Sequence, residues 1–397
     1  MVSHPLTTHT MRALRAFVLR LSLVGTAAGL LAPVRTASAI PYFARKYDVT
    51  CGTCHVSVPR LNQFGIAFLE RGYQMAETWP RAQRRTIPLA VWASGRWDSR
   101  PRTPAPDYVN AYFNRIELIS GGKVVVPWLS YFIEWRAISQ ERRGDGTVRD
   151  RSGRFEDIFV TAAARSFDLT VGQFRAVSQV DVSRRLGINE PASLSTGLAG
   201  PPGGTGREAS LRSFSPSGRS PGVRLGISSS FANGMRWMTA ATIPFSGELS
   251  IPINDSARIE ASNELELRRK GFFGESYVRS GNITVGAHGF YDHSDRYLVN
   301  GVSTLQTGNV FWTGVAGFDK LVDATRGRWS LETEFIPHLN LGIGGRVEDR
   351  ASDGAPVAFL PFINFNFPST RYIIRLTAER RVQGDRGATF FEFGTVF

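Results

Sequence analysis

The chain has 397 residues with a formal net charge of +13, and 42% of its residues are hydrophobic. Only two residues are cysteine, so at most one disulfide could stabilise the fold. No stretch after residue 40 approaches the 18 or more consecutive apolar residues that a transmembrane helix needs.

Residues 1–39 are predicted to be a signal peptide for the Sec route. An arginine-containing stretch is followed by an apolar run from Leu21 to Leu31 and by the A-x-A cleavage site Ala37-Ser38-Ala39. An exported protein seldom meets nucleic acid. The positive charge therefore indicates affinity for acidic surfaces or an arginine-rich interior, with no nucleic-acid partner.

Cys51-Gly52-Thr53-Cys54-His55 is a C-x-x-C-H motif, the signature of covalent c-type haem attachment. Each thiol can add to one vinyl group of the porphyrin, and His55 can then bind the iron as an axial ligand. Both cysteines of the chain lie in this motif, so the sequence predicts one haem c within residues 40–80.

Two other kinds of site also use a C-x-x-C pair, namely a redox dithiol and half of a zinc site. A zinc site needs two more ligands, and His288, His293 and His338 have no ligand-like spacing. A thioredoxin-like site needs a βαβ pattern, which the surrounding sequence lacks. Because haem is attached to such motifs outside the cytoplasm, the signal peptide favours haem.

Within this haem segment, one helix is predicted from Pro59 to Gly72. Leu61, Phe64 and Phe68 share one of its faces, which suits packing on a haem plane and equally suits an ordinary core. A segment of about 40 residues is too short to bury a haem alone. We therefore expect it to pack in or against the mouth of the following domain.

The sequence leaves the sixth haem ligand open. Met75 is the nearest methionine, and a thioether at this position would raise the reduction potential. It could equally be an ordinary buried methionine. A downstream histidine, another side chain or water remains an alternative ligand. Arg45 is a candidate partner for a haem propionate or a simple surface arginine.

After a basic connector, Arg81–Arg85, the pattern changes to segments of about ten residues with alternating polarity. Between Trp128 and Arg136, for example, apolar and polar residues alternate, except that Phe132 lies on the polar face. The other clear segments are Phe155–Ala162, Phe167–Phe174, Arg328–Ile336, Leu339–Glu348, Val357–Phe367, Arg371–Arg381 and Thr389–Phe397.

This alternation is compatible with soluble β-sandwiches, with a propeller or with a membrane barrel. A propeller would show a repeat of about 40 residues, which is not visible. Phe391, Phe393 and Phe397 share a face of the last segment, and such a terminal aromatic resembles the assembly signal of outer-membrane barrels. Residues 81–397 are therefore predicted to form an all-β, antiparallel transmembrane barrel of about 16 strands with both ends in the periplasm.

The stretch from Gly187 to Pro221 is rich in Gly, Pro and Ser and interrupts the strand pattern. It is predicted to be a long external loop, or alternatively a loop that folds inward and narrows the lumen.

Part of the chain resembles a known family. The run from Pro41 to Tyr47, the C-x-x-C-H motif, the P-R-L-N-Q-F-G run from Pro59 to Gly65, and Gly72-Tyr73 are similar to the fused cytochrome–porins of the bacterial outer membrane. The best-known members of this family are iron oxidases. The likeness in motif covers residues 40–75, whereas over the barrel only length, strand pattern and the terminal Phe agree.

The resemblance implies a monohaem electron conduit, an electron-transfer oxidoreductase that carries electrons from extracellular Fe(II) to periplasmic cytochromes or other carriers. Two alternatives stay open. One is a diffusion porin whose haem segment is a plug or sensor, and the other is a haem enzyme such as a peroxidase. Fe(II) would need an acidic entrance, for which Asp145, Asp150, Glu156 and Asp157 are candidates on or near an outer loop, unless they are ordinary solvated charges.

Overall fold

A computed structural model describes most of the chain after the predicted signal peptide. The described residues are 41–58, 60–75, 87–100, 108–124, 126, 128–142, 148–164, 166–176, 219–231, 233–245, 271–291, 297–321, 324–349, 357–368, 373–383 and 386–397. The signal peptide and the connector Arg81–Arg85 lie outside them. No helix in this part of the chain is long and apolar enough to cross a membrane.

Residues 41–75 contain short elements only. They are α1 (Pro41–Tyr47), α2 (Cys51–Cys54), β1 (His55–Ser57), β2 (Arg60–Leu61) and α3 (Gln63–Glu70).

The remaining strands are long. They are β3 (Ala90–Arg100), β4 (Tyr108–Lys123), β5 (Leu129–Arg142), the short β6 (Val148–Asp150), β7 (Arg154–Ala164), β8 (Phe167–Arg175), β9 (Arg219–Ser230), β10 (Arg236–Pro244), β11 (Phe272–Ser280), β12 (Ile283–Tyr291), β13 (Tyr297–Thr307), β14 (Val310–Leu321), β15 (Ala324–His338), β16 (Leu341–Glu348), β17 (Ala358–Pro368), β18 (Ile373–Gln383) and β19 (Arg386–Val396).

These strands close into one antiparallel barrel. Among the described residues, sixteen strands, β3–β5 and β7–β19, form the wall, and β6 pairs with the end of β5. The first and last wall strands meet along a seam. At its end the Phe397 amide donates to the Val91 carbonyl at 3.0 Å, and the Val91 amide donates back at 3.2 Å. The predicted barrel of about 16 strands is confirmed.

The wall is apolar outside and polar inside. On β16, for example, Ile343 and Val347 are 46% and 37% exposed, whereas Arg346 and Glu348 are 1% and 0% exposed. A soluble sheet would bury its apolar face instead. An apolar exterior around a charged interior is the arrangement of a barrel that spans a bilayer, which excludes the soluble alternatives.

The two ends of the barrel differ in their connections. One end, the turn end, has two-residue turns at 281–282, 308–309 and 339–340. The other, the loop end, has the long connections 176–218 and 245–271. Because β3 begins and β19 ends at the turn end, the chain enters and leaves the barrel there.

The predicted helix from Pro59 to Gly72 is wrong at its start. Arg60 and Leu61 instead pair with residues of β1, and α3 begins only at Gln63. The cause is Asn62, whose side-chain oxygen Oδ1 accepts a hydrogen bond from the Gly65 amide at 2.9 Å. This is an N-cap, which fixes the first turn of a helix.

The predicted strands agree with the observed ones to within a few residues, except that β5 extends to Arg142, beyond the predicted end at Arg136, and β15 begins at Ala324. The predicted loop from Gly187 to Pro221 is wrong at its end, because Arg219 to Pro221 belong to β9 and pair with β8. The rest of that loop lies outside the described residues.

Candidate functional site

The C-x-x-C-H motif forms a single buried turn of helix. Cys51 and Cys54 begin and end α2, and they are 0% and 5% exposed. Residues three apart on a helix lie on the same face, so the two side chains project from one side of the turn. His55 follows at once as the first residue of β1 and is also buried.

Asn62 closes this turn against the next helix. Its backbone amide donates to the Cys54 carbonyl at 2.9 Å, and its side-chain Nδ2 donates to the carbonyls of Gly52 and Thr53 at 3.0 and 3.1 Å. These carbonyls lie at the C-terminal end of α2, where helical partners are missing. No role was predicted for Asn62, although an Asn directly before an apolar helix is a typical cap signal.

Gly65 allows the two helices to touch. A Cβ atom at this position would lie 2.1 Å from the Cys54 carbonyl oxygen and 3.0 Å from Cδ2 of Leu61. Any side chain here would push α3 away from the motif.

Burial also sets the ionisation of the thiols. It raises the pKa of Cys54 to about 12, and it raises the pKa of Cys51 as well, with the neighbouring Cys54 adding to the shift. Redox-active C-x-x-C pairs need a lowered thiol pKa. The described residues also contain no group of three or more His, Cys, Asp or Glu side chains that could hold a metal ion. Neither the dithiol nor the zinc alternative gains support.

An aromatic core packs beside the motif. The Phe68 ring meets the Phe43 ring edge-on, with centroids 5.2 Å apart, and meets Tyr47 and Tyr73 in the same manner at 5.8 Å. Phe64, the other predicted haem-packing residue, is 37% exposed. The structure therefore places the two phenylalanines in different environments, with Phe68 in the core and Phe64 at its surface.

Met75 is buried in the same cluster of side chains as Cys51. The barrel histidine His288 has other partners, because its Nδ1 lies 3.1 Å from the Tyr277 hydroxyl and its Nε2 lies 3.0 Å from Nδ2 of Asn300.

His338 also has a partner away from the motif. His338 accepts a hydrogen bond from the Asn340 amide within a turn. His293 lies outside the described residues. Among the candidate sixth ligands that the structure describes, Met75 is the one that the fold brings to the motif.

The residues fit a c-type haem in their chemistry. The two thiols project from one side of a helical turn, and the His55 imidazole follows. The Met75 thioether lies in the same apolar cluster as Cys51. This is the donor set that covalent attachment and axial ligation require.

Residues 41–75 lie inside the barrel and form a plug at its turn end. On one side, Arg60 Nη2 contacts Glu332 at 3.0 Å and its Nε contacts Glu334 at 2.7 Å, both on β15. On another side, Glu70 contacts Arg236 of β10 at 2.6 Å and Arg279 of β11 at 3.6 Å.

The plug also touches the remaining sides of the lumen. Asn366 of β17 donates to the Val58 carbonyl at 2.7 Å. A Cβ atom on Gly72 would lie 2.5 Å from the Ser130 hydroxyl of β5 and 2.8 Å from Cβ of Thr161 on β7. Contacts on opposite strands hold the plug across the lumen, as expected for a segment too short to bury a haem by itself.

Tyr73 joins the plug to the wall. Its ring stacks on Phe43 of the plug at 5.4 Å and on Phe132 of β5 at 4.3 Å. Its backbone φ is +63°, a conformation that costs a residue other than glycine about 1–3 kcal/mol. The packing of the ring on both sides compensates for this strain.

The other predicted site residues are placed less favourably. Arg45 donates to the Leu89 carbonyl at 3.3 Å. Asp150 is exposed and accepts from Ser152, and Asp145 lies outside the described residues.

Glu156 and Asp157 lie near the loop end of the barrel but do not form a free acidic entrance for Fe(II). Both are on β7 and pair with arginines of the inner wall, with Arg136 2.9 Å from Glu156 and Arg219 3.2 Å from Asp157. Their charges are therefore neutralised within the wall.

Comparison with solved structures finds porins. The chain is similar to the anion-selective porin from Comamonas acidovorans (9% identity, 78% of this chain and 98% of that one, TM-score 0.45). It is also similar to Salmonella typhi OmpF in complex with daunomycin (12% identity, 78% and 97%, TM-score 0.47). No protein-family model and no curated protein matches. On its own sheet topology, the chain is a closed sixteen-stranded membrane barrel with a C-x-x-C-H plug in its lumen.

Proposed function

We propose that this protein is an outer-membrane barrel whose plug carries one haem c and passes electrons across the membrane. The observation that carries the proposal is the burial of the C-x-x-C-H turn inside a plug that is held on several sides of the lumen. In membrane barrels the short turns face the periplasm and the long loops face outward. The plug would then lie at the periplasmic mouth, next to soluble carriers.

Each residue of the turn has a role in this proposal. Cys51 and Cys54 would hold the haem through their thiols, His55 would be an iron ligand, and Met75 is the candidate for a second iron ligand. The bound haem supplies a one-electron Fe(III)/Fe(II) couple. The plug and the wall would fix the position of the haem and exclude water from it. The barrel would replace the lipid that otherwise insulates the haem.

The resemblance to the fused cytochrome–porins supplies the candidate donor, extracellular Fe(II). The inner-wall carboxylates Glu156 and Asp157 are paired with arginines, so they do not provide an acidic site for that ion. The donor would meet the protein at the loop end.

A diffusion channel is the second candidate, and the barrel architecture supports it directly. A closed barrel with a charged inner wall is how porins conduct solutes. In that function the haem segment would be a plug or sensor. The two candidates differ in whether solute or electrons pass.

Haem attachment is tested on protein produced with haem-maturation machinery. Wild-type protein should retain haem stain on a denaturing gel, and Cys51→Ser/Cys54→Ser protein should lose it. The matched control is Met75→Leu, which should keep the covalent stain and change the visible spectrum and midpoint potential. Stain that survives in the double variant would refute attachment through Cys51 and Cys54.

Two measurements then separate the candidates. Stopped-flow mixing of the oxidised protein with Fe(II) should reduce the haem, as followed by its absorption bands. Planar-bilayer recordings should show little single-channel conductance if the plug closes the lumen. Large, steady channels without haem reduction would favour the diffusion channel and overturn the conduit.

A further inference from the structure

A row of aromatic rings leads from the plug into the barrel wall. Tyr73 stacks on Phe132 of β5 with centroids 4.3 Å apart and an interplanar angle of 18°. Phe132 lies 5.7 Å from Phe159 of β7, and Phe159 lies 6.2 Å from Phe174 of β8. The second and third steps are within the usual range for aromatic pairs in contact, and the first is slightly shorter.

The row runs around the inner wall near the turn end and rises slightly toward the loop end. Phe132 is near the start of β5 at the turn end, and Phe159 is its direct cross-strand partner on β7. Phe174 is the last residue but one of β8, directly before the long connection 176–218. Phe174 is two residues beyond Gly172, the cross-strand partner of Phe159, so the row rises by only those two residues between Phe132 and Phe174.

Two glycines make room for the rings. A Cβ atom on Gly121 would lie 2.9 Å from the Phe132 ring and 3.2 Å from the Phe43 ring. A Cβ atom on Gly172 would lie 2.8 Å from Cβ of Phe159, and the φ of Gly172 is +138°. The backbone is therefore adapted to this arrangement of rings.

The rings also occupy positions that a polar lumen would assign to polar side chains. Phe132 lies between the inward-facing Ser130 and Glu134 on β5, and Phe159 lies between Asp157 and Thr161 on β7. Two strands therefore break the polar alternation at neighbouring places, where their rings meet each other and Tyr73.

We infer that Tyr73, Phe132, Phe159 and Phe174 form an electron path between the plug and a one-electron donor that enters the lumen from the loop end. Stacked π systems in contact couple electronically better than saturated side chains or water. In each transfer, one electron leaves a donor such as a ferrous complex, which becomes ferric. The haem iron gains that electron and passes from Fe(III) to Fe(II), and no bond or proton changes place. The inference rests on the proposed function.

The test replaces rings by aliphatic side chains in the haem-loaded protein. Ferrous EDTA is the donor, and haem reduction is followed by stopped flow. Phe132→Leu and Phe159→Leu should each slow reduction by about tenfold or more. Phe132→Tyr, which keeps the ring, should stay within about twofold of wild type. The midpoint potential from equilibrium titration should be unchanged in all three.

Phe290→Leu is the matched control, because Phe290 is as deeply buried as Phe132 but belongs to a separate cluster with Phe273 and Leu298. Reduction rates of the Phe132→Leu and Phe159→Leu variants equal to that of Phe290→Leu would overturn the path and leave the conduit standing. Wild-type protein that ferrous EDTA does not reduce would overturn both. If one leucine variant fails to assemble, the other decides.

Discussion

Asn62 connects the capping of a helix to the shape of the haem motif. Its Oδ1 caps α3, and its Nδ2 holds the carbonyls of Gly52 and Thr53. These two functions belong to different atoms of one side chain and can therefore be separated by substitution.

Asn62→Asp keeps the capping oxygen and loses the Nδ2 donor, whereas Asn62→Ala loses both. We expect the alanine variant to lose about 0.5–2 kcal/mol of local stability from the cap, in addition to the lost hydrogen bonds. Hydrogen exchange of the Gly65 amide should accelerate in Asn62→Ala and change little in Asn62→Asp. Equal exchange in the two variants would contradict the capping role.

The buried thiols give a second prediction at this scale. A raised pKa keeps the thiol protonated at pH values where an ordinary cysteine ionises. The reactive thiolate therefore stays scarce. In haem-free protein, alkylation of Cys54 at pH 9 should be slower than in urea-unfolded protein by roughly a hundredfold or more. The rate should increase toward pH 12. Rapid alkylation of the folded protein at pH 9 would show that the turn is not buried.

At the scale of elements, the plug and the wall meet through ion pairs. Arg60 lies between Glu332 and Glu334, and its side chain is 11% exposed. Glu332 also contacts Arg346 of β16 at 3.3 Å, which links the plug to the charges of the wall.

Removing Arg60 should loosen the plug. Loss of one partner of a buried ion pair costs about 3–5 kcal/mol, because a charge is left in a poorly hydrated site. Arg60→Ala protein in planar bilayers should therefore show larger or more frequent channel openings than wild type. Gln63→Ala is the control, because Gln63 contacts the Gly281 carbonyl at an exposed position and carries no charge. Identical conductance in both variants would mean that the ion pairs do not hold the plug.

The sequence predicted these elements unevenly. The alternation of apolar and polar residues was enough to predict the wall strands, because burial of one face of a strand imposes a period of two. The sequence showed Phe132 as an apolar residue on the polar face of its strand. It did not show that Tyr73 is the residue that packs on it. The pairing of Arg60 with Glu332 joins residues 272 positions apart, and it depends on how the closed barrel aligns its strands. Local patterns carry no information about such a distance.

At the scale of the whole molecule, the barrel depends on its last residue. The backbone of Phe397 forms both hydrogen bonds to Val91 at the end of the seam, while its ring is 55% exposed on the outer surface. The residue whose backbone closes the seam therefore also carries the terminal aromatic ring.

Deletion of Phe397 should impair assembly, because the seam loses two hydrogen bonds and the outer surface loses a terminal aromatic. Heat-modifiable barrel bands on gels should weaken in the deletion and persist in the control Phe397→Tyr. Bands of normal intensity from the truncated protein would argue that the seam closes without this residue.

The burial of the cysteine turn has a consequence for biogenesis. Cys51 and Cys54 are almost inaccessible once the seam has closed around the plug. An enzyme that attaches haem covalently must reach both thiols. On the proposed function, haem must therefore be attached in the periplasm, before the barrel closes. Once the wall has closed, the haem can no longer be exchanged. A barrel that closes before haem is attached can no longer receive it.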